Sequence, residues 1–176
     1  STYGFVLNTS SNNNRLTNNT ISNNSDDGFF LGSNSNNNTL TNNTISNNSG
    51  YGFVLNTSSN NTLTQNTVDS NADYAFLISN GSSSDTFTKN VFVPSPYAAY
   101  KDSGVWNQSL VANHRMDFTR NWWGTADSVA IKTLIWGTRR DSVAFSPWRL
   151  EIVDTASNAD TIAPKAPDTA AVLKAD

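Results

Sequence analysis

The residues best suited to acid–base chemistry surround the single histidine of the chain. His114 stands beside Arg115 and near Asp117, and Lys101 and Asp102 precede it by about a dozen positions. Such a set could provide a proton donor and a proton acceptor if the fold gathered the side chains in one cleft. A hydrogen-bonding role within a loop accounts for the same residues, so we expect the chain not to be an enzyme.

Oxygen ligands occur at alternate positions in one short segment, as they do in a calcium-binding loop. Asp69, Asn71 and Asp73 give this spacing, but the segment lacks the central Gly and the distal Glu of an EF-hand. We therefore expect them to be turn residues of a repeat, and we expect no metal and no other cofactor.

Two sets of residues could mediate contacts with glycans. Tyr97, Tyr100 and Trp106, together with Trp122, could stack on the faces of sugar rings. N-x-S/T sequons could carry N-linked glycans in a suitable host, although turns that need Asn beside Ser or Thr also produce them. The sequons begin at Asn8, Asn18, Asn23, Asn37, Asn42, Asn47, Asn56, Asn60, Asn80 and Asn107.

Composition excludes several classes of partner. The 176 residues carry a net charge of −3, and only 14% are charged, so the chain lacks the basic field that binds nucleic acid or anionic membrane. No apolar run is long enough for membrane insertion. Cysteine is absent, which excludes disulfides and thiolate metal sites.

Two internal repeats define the elements that position these residues. The first is Tyr3-Gly4-Phe5-Val6-Leu7, which returns as Asp27-Gly28-Phe29-Phe30-Leu31, Tyr51-Gly52-Phe53-Val54-Leu55 and Tyr74-Ala75-Phe76-Leu77-Ile78. The second is Leu16-Thr17-Asn18-Asn19-Thr20-Ile21, which returns three times with the same spacing. Apolar clusters of this length, separated by Asn, Ser and Gly, favour short strands, and the spacing makes each unit one coil of a solenoid.

Stacked coils place like residues above like residues, about 4.8 Å apart. We expect inward apolar ladders of Phe5, Phe29, Phe53 and Phe76, and of Leu7, Leu31, Leu55 and Ile78. We also expect asparagine ladders of Asn19, Asn43, Asn66 and Asn90, and of Asn24, Asn48 and Asn71. A stacked amide can bond the amides above and below it, whereas stacked charges would repel their own copies.

One outward row is unexpectedly apolar. Val6, Phe30, Val54 and Leu77 occupy strand positions that are usually polar, which indicates a contact stripe. We expect it to pack against a neighbouring chain or against residues 93–116.

The domain organisation follows from where the repeat loosens. We expect β-helix coils over 1–124, with a protruding insertion at 93–117. A C-terminal cap at 125–150 should contain a short helix that Asp127 or Ser128 caps, and 151–176 should be an extended Pro/Ala tail. No cap precedes the first coil, so we expect its edge to be covered by missing sequence or by another molecule.

The pattern G-F-x-L, then S-x-N, L-x-x-N-x-I and S-N-N, resembles right-handed β-helix surface proteins and the NosD-like and carbohydrate-binding β-helix families. The resemblance covers residues 3 to about 92 and implies an all-β, right-handed parallel β-helix, which we expect to have about five coils of 23–24 residues. The N-W-W-G and V-x-F-S-P-W segments are similar to the closing segments of such proteins, which implies the cap.

These observations favour an extracellular or cell-surface structural protein, either an adhesive stalk module or a subunit of a head-to-tail filament. Its partner would be a neighbouring module or another copy of itself, and glycans are a second expected class of partner. A carbohydrate-binding module is the alternative function. A polysaccharide lyase or glycosidase is a third, but those enzymes place Lys, Arg, His and Asp along the face where this chain has Thr and Asn.

Overall fold

Short parallel β-strands stack into a β-solenoid in the computed structural model, which describes residues 2–93, 105–107, 116–136 and 143–146. The first sheet contains β1 (Phe5–Leu7), β4 (Phe29–Gly32), β7 (Phe53–Asn56), β10 (Phe76–Ser79), β13 (Val105–Asn107) and β15 (Ile135–Trp136). The second contains β2 (Arg15–Thr17), β5 (Thr39–Thr41), β8 (Thr62–Thr64), β11 (Thr86–Thr88), β14 (Met116–Asp117) and β16 (Val143–Ala144). The third contains β3 (Thr20–Ser22), β6 (Thr44–Ser46), β9 (Thr67–Asp69) and β12 (Val91–Val93).

A residue with left-handed backbone geometry directly follows each strand from β2 to β11. The turn between the second and third sheets contains Asn18, Asn42, Gln65 and Lys89, whose φ angles are 61°, 56°, 58° and 59°. Asparagine tolerates this geometry better than most residues do. In the pairs Asn18-Asn19 and Asn42-Asn43 of this turn, the first Asn therefore bends the chain from the second sheet to the third, and the side chain of the second Asn becomes a rung of a ladder.

The predicted register between coils is confirmed. Phe5 pairs with Phe29, Phe29 with Phe53, and Phe53 with Phe76, so like residues lie on adjacent strands. The ring centroids of Phe53 and Phe76 are 5.1 Å apart, with an interplanar angle of 5°. Phe29, Phe53 and Phe76 are fully buried, and each such side chain contributes about 1.5–3 kcal/mol through burial.

Glycine before the first strand of a coil is required by the close approach of the next coil. A Cβ atom on Gly28 would lie 2.8 Å from the backbone oxygen of Gly52 and would also collide with a methyl group of Ile45. A Cβ atom on Gly52 would lie 2.8 Å from the Ala75 oxygen. The G-F-x-L pattern is therefore a consequence of stacking.

The coil count differs from the expectation of about five. Residues 2–93 form four regular coils, each of which adds one strand to each of the three sheets. The following coil adds β13 to the first sheet and β14 to the second; among the described residues, the third sheet continues only through a bridge between Val91 and Trp122. Residues 105–107, inside the segment expected to protrude, thus belong to the stack.

An aromatic and helical cluster covers the last described coils. Trp123 is fully buried, and its ring centroid lies 4.9 Å from that of Phe92 in an edge-to-face contact. Helix α1 (Ser128–Thr133) follows, and its buried Ile131 joins the same hydrophobic core. The Asp127 side chain accepts a hydrogen bond from the Val129 backbone N–H, as an N-cap residue does.

Candidate functional site

The principal asparagine ladder joins each coil to the next by a repeated pair of hydrogen bonds. The Oδ1 atom of Asn66 accepts from the backbone N–H of Asn43 at 2.9 Å and from its Nδ2 at 3.0 Å. The Oδ1 atom of Asn90 accepts from Asn66 in the same way, at 2.9 and 3.1 Å. The Nδ2 of Asn66 also donates to the Leu40 carbonyl at 3.0 Å, so one amide bonds two other coils.

This ladder extends beyond its predicted members at one end. Asn90 donates from its backbone N–H and its Nδ2 to Oδ1 of Asn121, at 2.7 and 3.1 Å. Asn121 donates in turn to the carbonyls of Phe87 and Phe118, both at 2.7 Å. The ladder side chains of Asn43, Asn66, Asn90 and Asn121 are buried, so the predicted buried asparagine ladder is confirmed.

A second ladder stands at the turn after the third sheet. Asn24 donates its Nδ2 to Oδ1 of Asn48 at 2.9 Å, and Asn48 donates to Oδ1 of Asn71 at 2.8 Å. Asn71 then donates to the Ile45 carbonyl at 3.1 Å. Each Nδ2 in this ladder therefore has an acceptor within the protein.

A third ladder precedes the second sheet and was missed by the sequence reasoning. Asn14 donates to Oδ1 of Asn38, and Asn38 donates to Oδ1 of Asn61 at 3.1 Å. The last rung is Asp85, whose Oδ1 accepts from the Asn61 backbone N–H at 2.8 Å and from its Nδ2 at 3.0 Å. The steps of 24, 23 and 24 residues were present in the sequence, but the final rung is not an asparagine.

Asp85 is a buried carboxylate with one unpaired oxygen. Its side chain is 1% exposed, and its Oδ2 has no hydrogen-bond partner among the described residues. Because Thr86 pairs with Asp117, the residue in register with Asp85 on the next coil is Met116, which is buried and cannot continue the ladder. An ionised carboxylate has no hydrogen to donate, so it needs no acceptor on the next coil, which suits a last rung. Burial, however, removes the water that would otherwise bond to its second oxygen, Oδ2.

Burial raises the pKa of Asp85 from 3.8 to about 7, although its hydrogen bonds from Asn61 act in the opposite direction. A protonated Asp85 is neutral, like the amides below it. The group therefore changes charge in the neutral range inside an otherwise uncharged ladder.

A second group of perturbed residues lies at the start of the first sheet. Burial raises the pKa of Tyr51 to about 12, and the carboxylates of Asp73 and Asp27 act in the same direction. Burial also raises the pKa of Asp27, whose Oδ1 accepts from the Tyr51 N–H at 2.8 Å. A phenol with this pKa stays protonated at neutral pH, so Tyr51 is not a ready base or nucleophile there.

The three predicted calcium ligands take part in separate local bonds. Asp69 accepts from the Ser70 hydroxyl at 2.7 Å, and Asp73 accepts from the Tyr74 N–H at 3.1 Å. Asn71 belongs to the second ladder. In the described ranges, no group of three or more His, Cys, Asp or Glu side chains could hold a metal ion. Calcium binding at this segment therefore has no support from the described geometry.

The apolar outward row is unevenly exposed. Val6 is 44% exposed, whereas Val54 is 4% exposed, and Phe30 and Leu77 are half-buried. The ring of Tyr3 lies against that of Phe30, with centroids 5.5 Å apart. The row is thus partly covered within the chain, and a contact with another molecule remains a prediction.

The sequon positions divide by exposure. Asn8, Asn18, Asn37, Asn42 and Asn60 are exposed, and Asn56 is half-buried. The exposed side chains are accessible to a glycosyltransferase, and four of these residues also have the positive φ that the turns require. Glycosylation remains a prediction.

Several predicted interaction residues lie outside the described residues. These are Tyr97, Tyr100, Lys101, Asp102 and His114. The backbone of Trp106 pairs with Leu77 and with Trp136 in the first sheet. The sugar-stacking and acid–base hypotheses thus remain predictions.

The stacked sheets and amide ladders define a repeat protein of the parallel β-solenoid class. The family model that matches the chain is described as NosD, periplasmic copper-binding protein, and it covers residues 1–125. Because the match includes 125 of the 176 residues, the chain belongs to the NosD family. Comparison with curated proteins and with solved structures gives no match.

Asn66→Asp tests the need for an amide inside the ladder. A carboxylate could still accept from Asn43, but it could not donate to the Leu40 carbonyl or to Asn90. We expect a loss of about 3 kcal/mol or more in the free energy of unfolding, measured by urea titration. Asn42→Asp, at an exposed turn, is the control and should change stability by less than about 0.5 kcal/mol. Equal losses in the two variants would contradict the role of the ladder.

Asp85 predicts a pH dependence of stability with a defined sign. Since its pKa is raised from 3.8 to about 7, the folded chain binds a proton that the unfolded chain has lost between these values. Stability should therefore be highest below about pH 4, fall by on the order of 2–4 kcal/mol as the pH rises to about 7, and level off above. Urea titrations across this range measure it. Asp85→Asn should remove most of the slope, whereas Asp69→Asn should preserve it; a slope unchanged in Asp85→Asn would refute the assignment.

Proposed function

We propose that this chain is a non-enzymatic structural module, a stiff segment of a β-solenoid that serves as a stalk or spacer. The observation that carries the proposal is the set of amide ladders, which tie every regular coil to the next through side chains as well as strands. A rod in which each coil bonds its neighbours at the turns resists local unfolding. Such a rod suits a protein that must keep the parts attached to its two ends at a fixed separation.

The sparse ionisable chemistry of the described residues supports a non-catalytic role. Outside the group formed by Asp27, Tyr51 and Tyr74, the one strongly shifted pKa belongs to Asp85 among the residues described. Asp85 is enclosed beneath Met116 and bonded to Asn61, which gives a substrate no access to it. The outward positions of β5, β8 and β11 in the second sheet are threonines rather than the charged side chains of lyases.

We also propose that the chain works outside the cytoplasm, as a cell-surface or extracellular component. The family to which it belongs is described as periplasmic. None of the helices in the described ranges is long and apolar enough to cross a membrane. Exposed sequons and a low charge are properties that suit an exposed fibre.

The copper named in the family description does not fit the residues of this chain. Copper sites in proteins use Cys, Met and His ligands. The chain contains no Cys, one His and one Met. That methionine, Met116, is 1% exposed and belongs to the hydrophobic core. We infer that copper binding is not a property of this segment, and no step of its function depends on the metal.

The open edge of the first coil supports association with another solenoid coil. Phe5 is 38% exposed there, although its copies on the next three coils are fully buried. Asn19 donates into the principal ladder but accepts from no described residue, so its Oδ1 is ready for another rung. A coil with the same repeat would cover Phe5 and would donate an amide to Asn19. We propose that such a coil, from a preceding part of the same protein or from another copy of the chain, stacks on this edge.

Negative-stain electron microscopy over a range of concentrations tests the stacking. We expect copies of the chain to associate as the concentration rises, because an apolar ring and an unpaired strand edge of the first coil are then covered. Phe5→Lys should leave single short particles, while Val129→Lys, at a helix position that is 65% exposed, should assemble normally. Single particles at every concentration, or equal effects of the two substitutions, would contradict association between copies at this edge.

A further inference from the structure

The second sheet presents a regular array of threonines. Strands β5, β8 and β11 read Thr-Leu-Thr, Thr-Leu-Thr and Thr-Phe-Thr, with the central residue buried and both threonines half-exposed. The array, here called the threonine face, consists of Thr39, Thr41, Thr62, Thr64, Thr86 and Thr88. In the first sheet the outward row is apolar, and in the third the second outward position is Ser22, Ser46 or Asp69. Paired threonines over three successive rungs therefore distinguish one side of the solenoid.

The strand register makes the array two-dimensional. Thr39 pairs with Thr62, and Thr62 with Thr86, while Thr41, Thr64 and Thr88 form the parallel rank. Neighbouring rungs are about 4.8 Å apart, and alternate residues of one strand are about 6.6 Å apart. Side-chain ladders favour flat sheets, and two amide ladders flank this one. The six side chains thus approximate a rectangular grid.

The hydroxyl groups of the grid are available for an external ligand. None of the six has a hydrogen-bond partner among the described residues. The grid itself carries no charge; Arg15 lies in register at one end and Asp117 at the other. Because β-branching restricts χ1, each rank can keep its methyl groups and hydroxyls in one arrangement at small entropic cost.

Strand propensity explains threonine at one position but does not explain the whole pattern. Valine and isoleucine form strands as readily, and serine is as polar. Only threonine combines a hydroxyl with a methyl group, and the combination recurs at six positions in register. The combination suits a surface that must both order water and bond to it.

We propose that the threonine face binds the surface of ice. On its prism faces hexagonal ice presents water oxygens with a rectangular repeat of similar dimensions, so the hydroxyls of one rank can take lattice positions while the methyl groups order the water between them. Soluble sugars would need aromatic stacking surfaces, which this face lacks. An ordered array of water oxygens is the ligand that its spacing and chemistry fit best.

Adsorption of the fluorescently labelled full chain to a growing ice hemisphere tests this proposal. We expect the wild type to be incorporated into ice and to inhibit recrystallisation. Thr64→Lys, which places a charge on the central rung, should lose most of both effects. Thr67→Lys, on the third sheet of the same coil and also half-exposed, is the matched control and should retain them. Circular dichroism should show the same fold for each variant.

The milder Thr64→Ser variant removes one methyl group and decides the outcome if Thr64→Lys does not fold. We expect this variant to adsorb to ice more weakly than the wild type. The proposal is overturned if the wild type is excluded from ice, or if Thr64→Lys and Thr64→Ser adsorb like the wild type. It is also overturned if Thr67→Lys loses adsorption equally, because another surface would then be responsible. Wild-type binding to insoluble polysaccharide that Thr64→Lys abolishes, without adsorption to ice, would assign the face to that partner instead.

Discussion

The hydrogen bonding of one buried side-chain amide to the next coil is the constraint on which the rest of the structure depends. In each ladder an Oδ1 atom accepts two bonds from the rung before it, one from a backbone N–H and one from Nδ2. The amide then donates onward. Asparagine can accept and donate in the same rung without charge, so identical side chains can repeat along an axis. A carboxylate cannot donate onward, and a lysine cannot accept.

The other features of the chain follow from that requirement. The amide must point inward immediately after a tight turn, so the residue before it adopts a left-handed backbone, and the strands of the four regular coils stay three or four residues long. Because the turns supply interstrand bonds of their own, short strands suffice, and Phe, Leu and Ile fill the interior. Asp85 is consistent with this requirement, because a carboxylate occurs at a rung that has no further rung to donate to: the next coil has Met116 at that position.

Much of this architecture could be predicted because residues one repeat apart in a solenoid lie next to each other on adjacent coils. The steps between Phe5, Phe29, Phe53 and Phe76 predicted their register, and the Asn-Asn pairs predicted buried amides. The ladder ending at Asp85 was missed because the change from Asn to Asp hides its last rung. The coil count is slightly lower than expected because the repeated motif from Phe118 to Trp123 predicts a further coil, and among the described residues that coil does not form a strand in all three sheets. The burial of Val54 depends on neighbours that no local pattern reveals.

Native-state hydrogen exchange of single backbone amides tests the central claim most directly. The amides of Asn43 and Asn66 lie in turns and bond to ladder oxygens, each at 2.9 Å, whereas the amide of Thr9 bonds only to the side chain of Asn8 at an exposed turn. We expect Asn43 and Asn66 to exchange only on global unfolding, as slowly as the core strand amide of Phe53, and Thr9 to exchange fast. If Asn43 and Asn66 exchanged at rates close to that of Thr9, the ladders would not hold the coils together.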